Sequence, residues 1–248
     1  MVKGLDTFQR YFADYKEQYV LIGGAACDIL FESNEVNFRA TRDLDMVLII
    51  EALTPEFGEK FWKFIVDGKY RNKATNGRNP QFYRFDKPED DNFPKMIELF
   101  CRSDFKLKNA KGITPIHIDD EVSSLSAILL NDDYYKALLN GKEVRNGLSV
   151  LRPEYLILFK AKAYLDLKMR KDLGEKVDSN DVKKHKKDIL RIASELLLEK
   201  VEELPIAVDA DVHSFIDLLE QEPFDQNSLK RYGLKNEDVV EVLKQVFG

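Results

Sequence analysis

Tyr19-Val20-Leu21-Ile22-Gly23-Gly24 and, further along, Asp43-Leu44-Asp45-Met46-Val47-Leu48-Ile49-Ile50 are the stretches that decide the fold. The first is a short apolar run ended by a glycine pair, which reads as a buried strand. Residues 25–32 then resume as a short helix. The second run is apolar at every position from Met46 to Ile50 and follows directly on an acidic cluster. A strand with no polar alternation suggests burial on both faces, and hence a sheet with helices packed over it.

Working outward, Leu5, Phe8, Tyr11, Phe12 and Tyr15 recur at spacings of three and four, which predicts an amphipathic helix over 5–18. Residues 54–68 read as a third helix, with Thr54 as cap and Pro55 in the first turn. Gln81 to Phe85 and Lys95 to Phe100 are strand-like. The polar, proline-bearing link from Asp86 to Pro94 makes them a hairpin. A second hairpin is signalled by Asn146-Gly147 between Glu143-Val144-Arg145 and Leu148-Ser149-Val150. After Pro153 the pattern is helical nearly to the end, with breaks near Gly174, Pro205 and Pro223. The fold class expected is α/β (α+β): a mixed sheet flanked by helices over residues 1–150, followed by a helical domain over 151–248.

Composition narrows the function. The 248 residues carry 38 Lys and Arg against 44 Asp and Glu, a net charge of -6, which excludes a strongly cationic nucleic-acid coat but not a local basic groove. Cys27 and Cys101 lie far apart and make no metal-ligand spacing, and two cysteines are too few for a disulfide scaffold, which favours a reducing compartment. His117, His185 and His213 make no zinc-ligating pattern. No apolar run approaches the roughly 18 residues of a membrane span, and the N-terminus lacks a signal-peptide core. A cytoplasmic protein without a membrane partner is the expectation.

The chemistry lies in three pieces. In an extended segment residues two apart point the same way, so Asp43 and Asp45 present their carboxylates side by side. Two such groups repel, which raises the pKa of one unless a cation lies between them. Magnesium is the natural cation, bound by one or two carboxylates together with substrate phosphates. Glu98, between Ile97 and Leu99, points away from its apolar neighbours and can join the pair from an adjacent strand. Gly23-Gly24 before a helix start leaves backbone N–H groups open to a phosphate. Each piece also has an ordinary reading: a tight turn, a solvated loop, a glutamate facing water. Their combination, in order and at strand ends, points to a metal–nucleotide site.

In those residues the chain resembles the polymerase β-like nucleotidyltransferases: Val20-Leu21-Ile22-Gly23-Gly24, then Asp43-Leu44-Asp45, then Ile97-Glu98-Leu99. Arg39-Ala40-Thr41-Arg42-Asp43-Leu44-Asp45 further resembles the Arg-x-Ser/Thr-x-Asp-apolar-Asp signature of the AbiEii/AbiGii abortive-infection toxin branch. That branch continues with a hairpin, a helix carrying an internal lysine and a Lys-Asp pair, matched here by Val144 to Leu151, Lys160 and Lys187-Asp188. The stretch from Gly24 to Asp43 is longer than the pattern, with Phe31 to Asn37 looking inserted.

The resemblance implies a nucleotidyltransferase-type sheet and transfer of an NMP from an NTP to an acceptor hydroxyl. It implies Asp43, Asp45 and Glu98 as ligands of two Mg2+ ions, with Mn2+ as a substitute, and as the catalytic acids. It assigns Gly23, Gly24, Arg39, Thr41, Lys160, Lys187 and Asp188 to nucleotide binding. It further implies a tRNA acceptor and a neutralising antitoxin. An antibiotic-type small-molecule nucleotidyltransferase and a catalytically silent nucleotide-binding module are the alternatives. Lys160 lies on an apolar stripe with Leu156, Ile157, Ala163 and Tyr164, and so must snorkel, shift its pKa or find an anion. Residues 160–187 hold ten Lys and Arg against five Asp and Glu, either a solvated helical face or the wall of a groove for phosphates or an RNA end.

Overall fold

The computed structural model describes residues 2–34, 41, 43–72, 82–101, 128–129 and 131–248. The chain forms two compact units, Met1–His117 with Lys142–Leu151, and Ile118–Gly141 with Arg152–Gly248.

The first unit holds a mixed sheet of seven strands among the described residues: β1 (Tyr19–Leu21), β2 (Asp43–Leu48), β3 (Arg71–Asn72), β4 (Phe82–Asp86), β5 (Met96–Phe100), β6 (Lys142–Arg145) and β7 (Leu148–Leu151). Their spatial order is β3-β4-β5-β2-β1-β7-β6. β2 runs parallel to β5 and antiparallel to β1, while β1 runs parallel to β7. Both expected hairpins are present, β4–β5 and β6–β7. The second turns at Asn146 and Gly147, both at positive φ (49° and 76°), the backbone that a tight two-residue hairpin requires.

Helices α1 (Leu5–Phe12) and α3 (Pro55–Asp67) belong to the same unit. α3 starts as its sequence predicts: the Thr54 hydroxyl accepts from Phe57 N–H at 3.3 Å and Pro55 occupies the first turn. α1 is shorter than its periodicity suggests. A 3-10 turn over Ala13–Tyr15 follows it, and Gln18 N–H bonds Tyr15 carbonyl at 2.9 Å, tightening the chain into β1. α2 (Gly23–Glu32) is buried from Gly24 to Phe31. One sheet face carries an aromatic core in which Phe8 meets Tyr19 edge-on at 5.4 Å and Phe61 meets Phe85 at 5.5 Å.

The second unit is helical throughout its described residues: α4 (Asp132–Asn140), α5 (Pro153–Asp172), α6 (Ser179–Glu195), α7 (Ile206–Gln221), α8 (Gln226–Tyr232) and α9 (Asn236–Phe247). α5 packs against α6 and α7, and α7 against α4 and α9. The sequence places one domain boundary near residue 150. The chain passes between the units there and again on either side of the β6–β7 hairpin's approach, because β7 pairs with β1 while α4 packs on α7. Among the described residues no helix is long and apolar enough to cross a membrane.

Phe64 is fully buried and touches Tyr11, Phe12 and Phe93 at ring separations of 5.0, 5.4 and 4.9 Å. Phe64→Ala is expected to lower stability by about 3–5 kcal/mol in urea unfolding. A loss under about 1 kcal/mol would mean that this cluster does not hold α1 and α3 to the sheet.

Candidate active site

The site grows from the register of two parallel strands. Asp45 on β2 lies beside Glu98 on β5, and Asp43 beside Met96. Side chains alternate along a strand, so Asp43, Asp45 and Glu98 share one face while Leu44, Met46, Ile97 and Leu99 occupy the other. That other face carries Tyr19 and Phe85 and is covered by α1 and α3. β2 begins at Asp43, ahead of the apolar run, because backbone pairing with β5 already takes in the two acids.

Glu98 is buried, at 6% exposed. Across the β4–β5 ladder it faces Arg84, whose Nε donates to Glu98 Oε1 at 2.8 Å and whose Nη2 lies 2.5 Å from the same oxygen. The Glu98 carboxyl is nevertheless pushed up to about 9. Burial is the main cause and the negative charge of Asp45 the next. Arg84 pulls the other way without overcoming them.

The glycine pair makes room for this cluster. Gly23 has φ +62°, and a Cβ there would stand 2.1 Å from Asp45 Oδ2. A Cβ on Gly24 would stand 2.7 Å from Thr41 Oγ1. Any side chain at either position would displace the Asp45 carboxylate or the Thr41 hydroxyl from the start of α2. The Ile22 N-cap offers that first turn no side-chain hydrogen bond.

The structure thus gathers Gly23, Gly24, Thr41, Asp43, Asp45 and Glu98 in the sheet unit. Arg39 lies outside the described residues. In the helical unit, Lys160 on α5 finds its anion in Asp188 on α6. Nζ and Oδ2 are 2.8 Å apart, with side chains 7% and 3% exposed. Lys187, next along α6, is exposed and lines a groove with Phe224 and Asp225. The sequence reading missed Arg84. Its place opposite Glu98 depends on strand register, which neither strand's own pattern reveals.

As donors these groups suit a hard divalent cation. They are carboxylates on one face, with buried Glu98 beside half-buried Asp45, and a dication would relieve the repulsion that raises Glu98. As placed, Glu98 is engaged by Arg84. Among the described residues no group of three or more His, Cys, Asp or Glu side chains stands ready to hold a metal ion.

No family model matches the chain, and no curated protein does. Among solved structures it is similar to an antigenic nucleotidyltransferase-like protein from Paracoccidioides brasiliensis. That similarity has 14% identity and a TM-score of 0.46, and it covers 99% of this chain and 95% of that one.

A carboxyl whose pKa is raised on folding stabilises the fold while it keeps its proton. For Glu98 that contribution is complete below its ordinary value of 4.5 and is lost as pH rises through about 9. Glu98→Gln cannot lose a proton, so its unfolding free energy is expected to decline less than that of the native protein between pH 5.5 and 9. Parallel urea profiles would contradict the raised carboxyl. In the helical unit, Asp188→Ala leaves Lys160 buried without its counter-charge and is expected to cost about 3–5 kcal/mol, while Lys160→Met with Asp188→Leu recovers most of it. Equal losses in the single and double variants would show that the pair itself is not what matters.

Proposed function

We propose that the protein transfers a nucleoside monophosphate from an NTP to an acceptor hydroxyl, releasing pyrophosphate. The observation that carries this reading is the in-register pair Asp45–Glu98, with Asp43 on the same sheet face and the Gly23-Gly24 turn against Asp45. The motif order in the sequence supports it from a separate direction.

In this reading Asp43, Asp45 and Glu98 hold the divalent ions, which when bound supply charge neutralisation for the triphosphate and polarise the reacting oxygens. Gly23 and Gly24 let the phosphates approach the start of α2 along bare backbone. In this reading the Thr41 hydroxyl, close to Gly24, holds a phosphate oxygen or orients an acid. Glu98, on the same reading, exchanges a proton with the acceptor hydroxyl; burial and Asp45 carry its proton affinity past neutrality, and a bound dication would bring it back down. Arg84 keeps that side chain aimed across the sheet. The resemblance adds Arg39, Lys160, Lys187 and Asp188 as phosphate-side residues. Of these, Lys160 is held in place by Asp188.

The same resemblance supports a tRNA end as the acceptor and a role as the toxin of a toxin–antitoxin pair with a neutralising protein partner. Asp43→Ala and Asp45→Ala are each expected to abolish transfer of labelled NMP to RNA, by at least about a thousandfold, with circular dichroism unchanged. Mn2+ is expected to raise the melting temperature of the native protein but not of Asp45→Ala. Full transfer by either variant would end the proposal. A labelled small product with no labelled RNA would move the acceptor to a small molecule.

A further inference from the structure

The helical unit contains a groove from which the chemistry above draws only Lys187. It is about 530 Å³ in volume and is lined by Lys168 and Lys171 on α5, by Lys183, Lys186 and Lys187 on α6, and by the turn from α7 into α8. The acids that also line it are Asp172, Glu222 and Asp225, and Asp225 is near enough to Lys187 for that charge to help lower its carboxyl. Glu222 and Asp172 hold Lys168 at 3.0 and 3.3 Å. Asp225 accepts from the backbone and hydroxyl of Ser228, both at 2.9 Å, at the start of α8.

Lys171, Lys183 and Lys187 are exposed at the rim of the groove. Lys171 donates to the neutral Ser179 hydroxyl at 2.9 Å. Lys186 is held by uncharged oxygens, the carbonyls of Glu222 and Pro223. In a protein of net charge -6 this is a local concentration of cations facing solvent. Lys183 and Lys187 stand one helical turn apart on α6, a rise of about 6 Å, so the wall offers repeated charges in a row.

The aromatic rings of the groove are not available for stacking. Tyr164 and Phe224 are 5% and 2% exposed, and Lys186 Nζ lies 5.6 and 5.5 Å from their ring centres. A groove with lysines in a row and no stacking face suits a chain of phosphates and reads no bases. A protein partner fits less well, because protein interfaces bury an apolar centre and are depleted in lysine. The apolar residues here, Val182, Leu190 and Phe224, are already buried.

We propose that this groove binds the phosphate backbone of an RNA strand, through Lys171, Lys183 and Lys187 at its rim. The choice of RNA rests on the acceptor proposed above, whereas the groove's affinity for a polyphosphate chain does not depend on that chemistry.

The test is fluorescence anisotropy with a fluorescein-labelled oligo(U) over a salt series, with inorganic tripolyphosphate and polyglutamate as competitors. Lys171→Glu, Lys183→Glu and Lys187→Glu combined are expected to weaken binding at least tenfold. They are also expected to flatten the salt dependence by about 2 in the log–log slope, at about 0.7 per lost phosphate contact on a single strand. The three Lys→Arg changes are expected to retain binding, and Asp45→Ala is expected to bind as the native protein does. The proposal is overturned if the native protein does not bind the oligo(U), if the charge-reversed variant binds within twofold of native with the same slope, or if polyglutamate displaces RNA as well as tripolyphosphate does. Native binding through these lysines without NMP transfer to any RNA would sink the catalytic reading and leave the groove assignment standing.

Discussion

A buried carboxyl, Glu98, set beside a half-buried one, Asp45, on the neighbouring parallel strand fixes the terms for the sheet unit. β2 and β5 could pair in other registers and still satisfy their backbone hydrogen bonds. The register observed is the one that keeps Leu44, Met46, Ile97 and Leu99 under the aromatic helices. Sliding either strand by one residue would turn that apolar set toward the opposite face. The hydrophobic core therefore aligns Asp45 with Glu98, at an electrostatic cost that burial makes larger. Arg84 offsets part of it from the next strand, and a bound dication would offset more.

The helical unit contains a different solution to a similar problem. Lys160 lies on the buried side of α5 and cannot reach water, so α6 supplies Asp188 to meet it. A paired buried ion contributes little net stability over a well-packed apolar pair. What it contributes is a defined rotation of α6 against α5, because only one face of α6 carries the matching acid. Of the lysines on α6, Lys183 and Lys187 are exposed and line the groove, while Lys184 and Lys186 are half-buried.

Much of this was legible beforehand, and what was not has physical causes. Hairpins announce themselves through local turn chemistry, so Asn146-Gly147 and the proline-bearing link before Lys95 were read from the chain. The glycine pair and the Asp43–Asp45 pair were visible because their spacing is local, and Glu98 because apolar residues flank it. Arg84 was not, since its meeting with Glu98 is a cross-strand event. The beginning of β2 at Asp43 was missed for a related reason: strand ends are set by backbone pairing, while the apolar pattern records only where side chains are dry. The pairing of Lys160 with Asp188 across two helices was open in the sequence, which showed the need for an anion but not which one would be chosen. The grouping of α4 with the helices after residue 152, ahead of a hairpin that joins the sheet, follows from tertiary packing and leaves no local trace.

The place of β7 has a consequence for how the molecule is made. β1 lies inside the finished sheet, with β2 on one side and β7 on the other. On a ribosome, β1, β2 and β5 emerge well before β7, so one edge of β1 waits with its N–H and C=O groups uncovered until residue 151 has been synthesised. The short Asn146-Gly147 hairpin suits that moment. Its two strands fold on each other through contacts close in sequence, and they arrive as a preformed lid for a seam left open by everything before them.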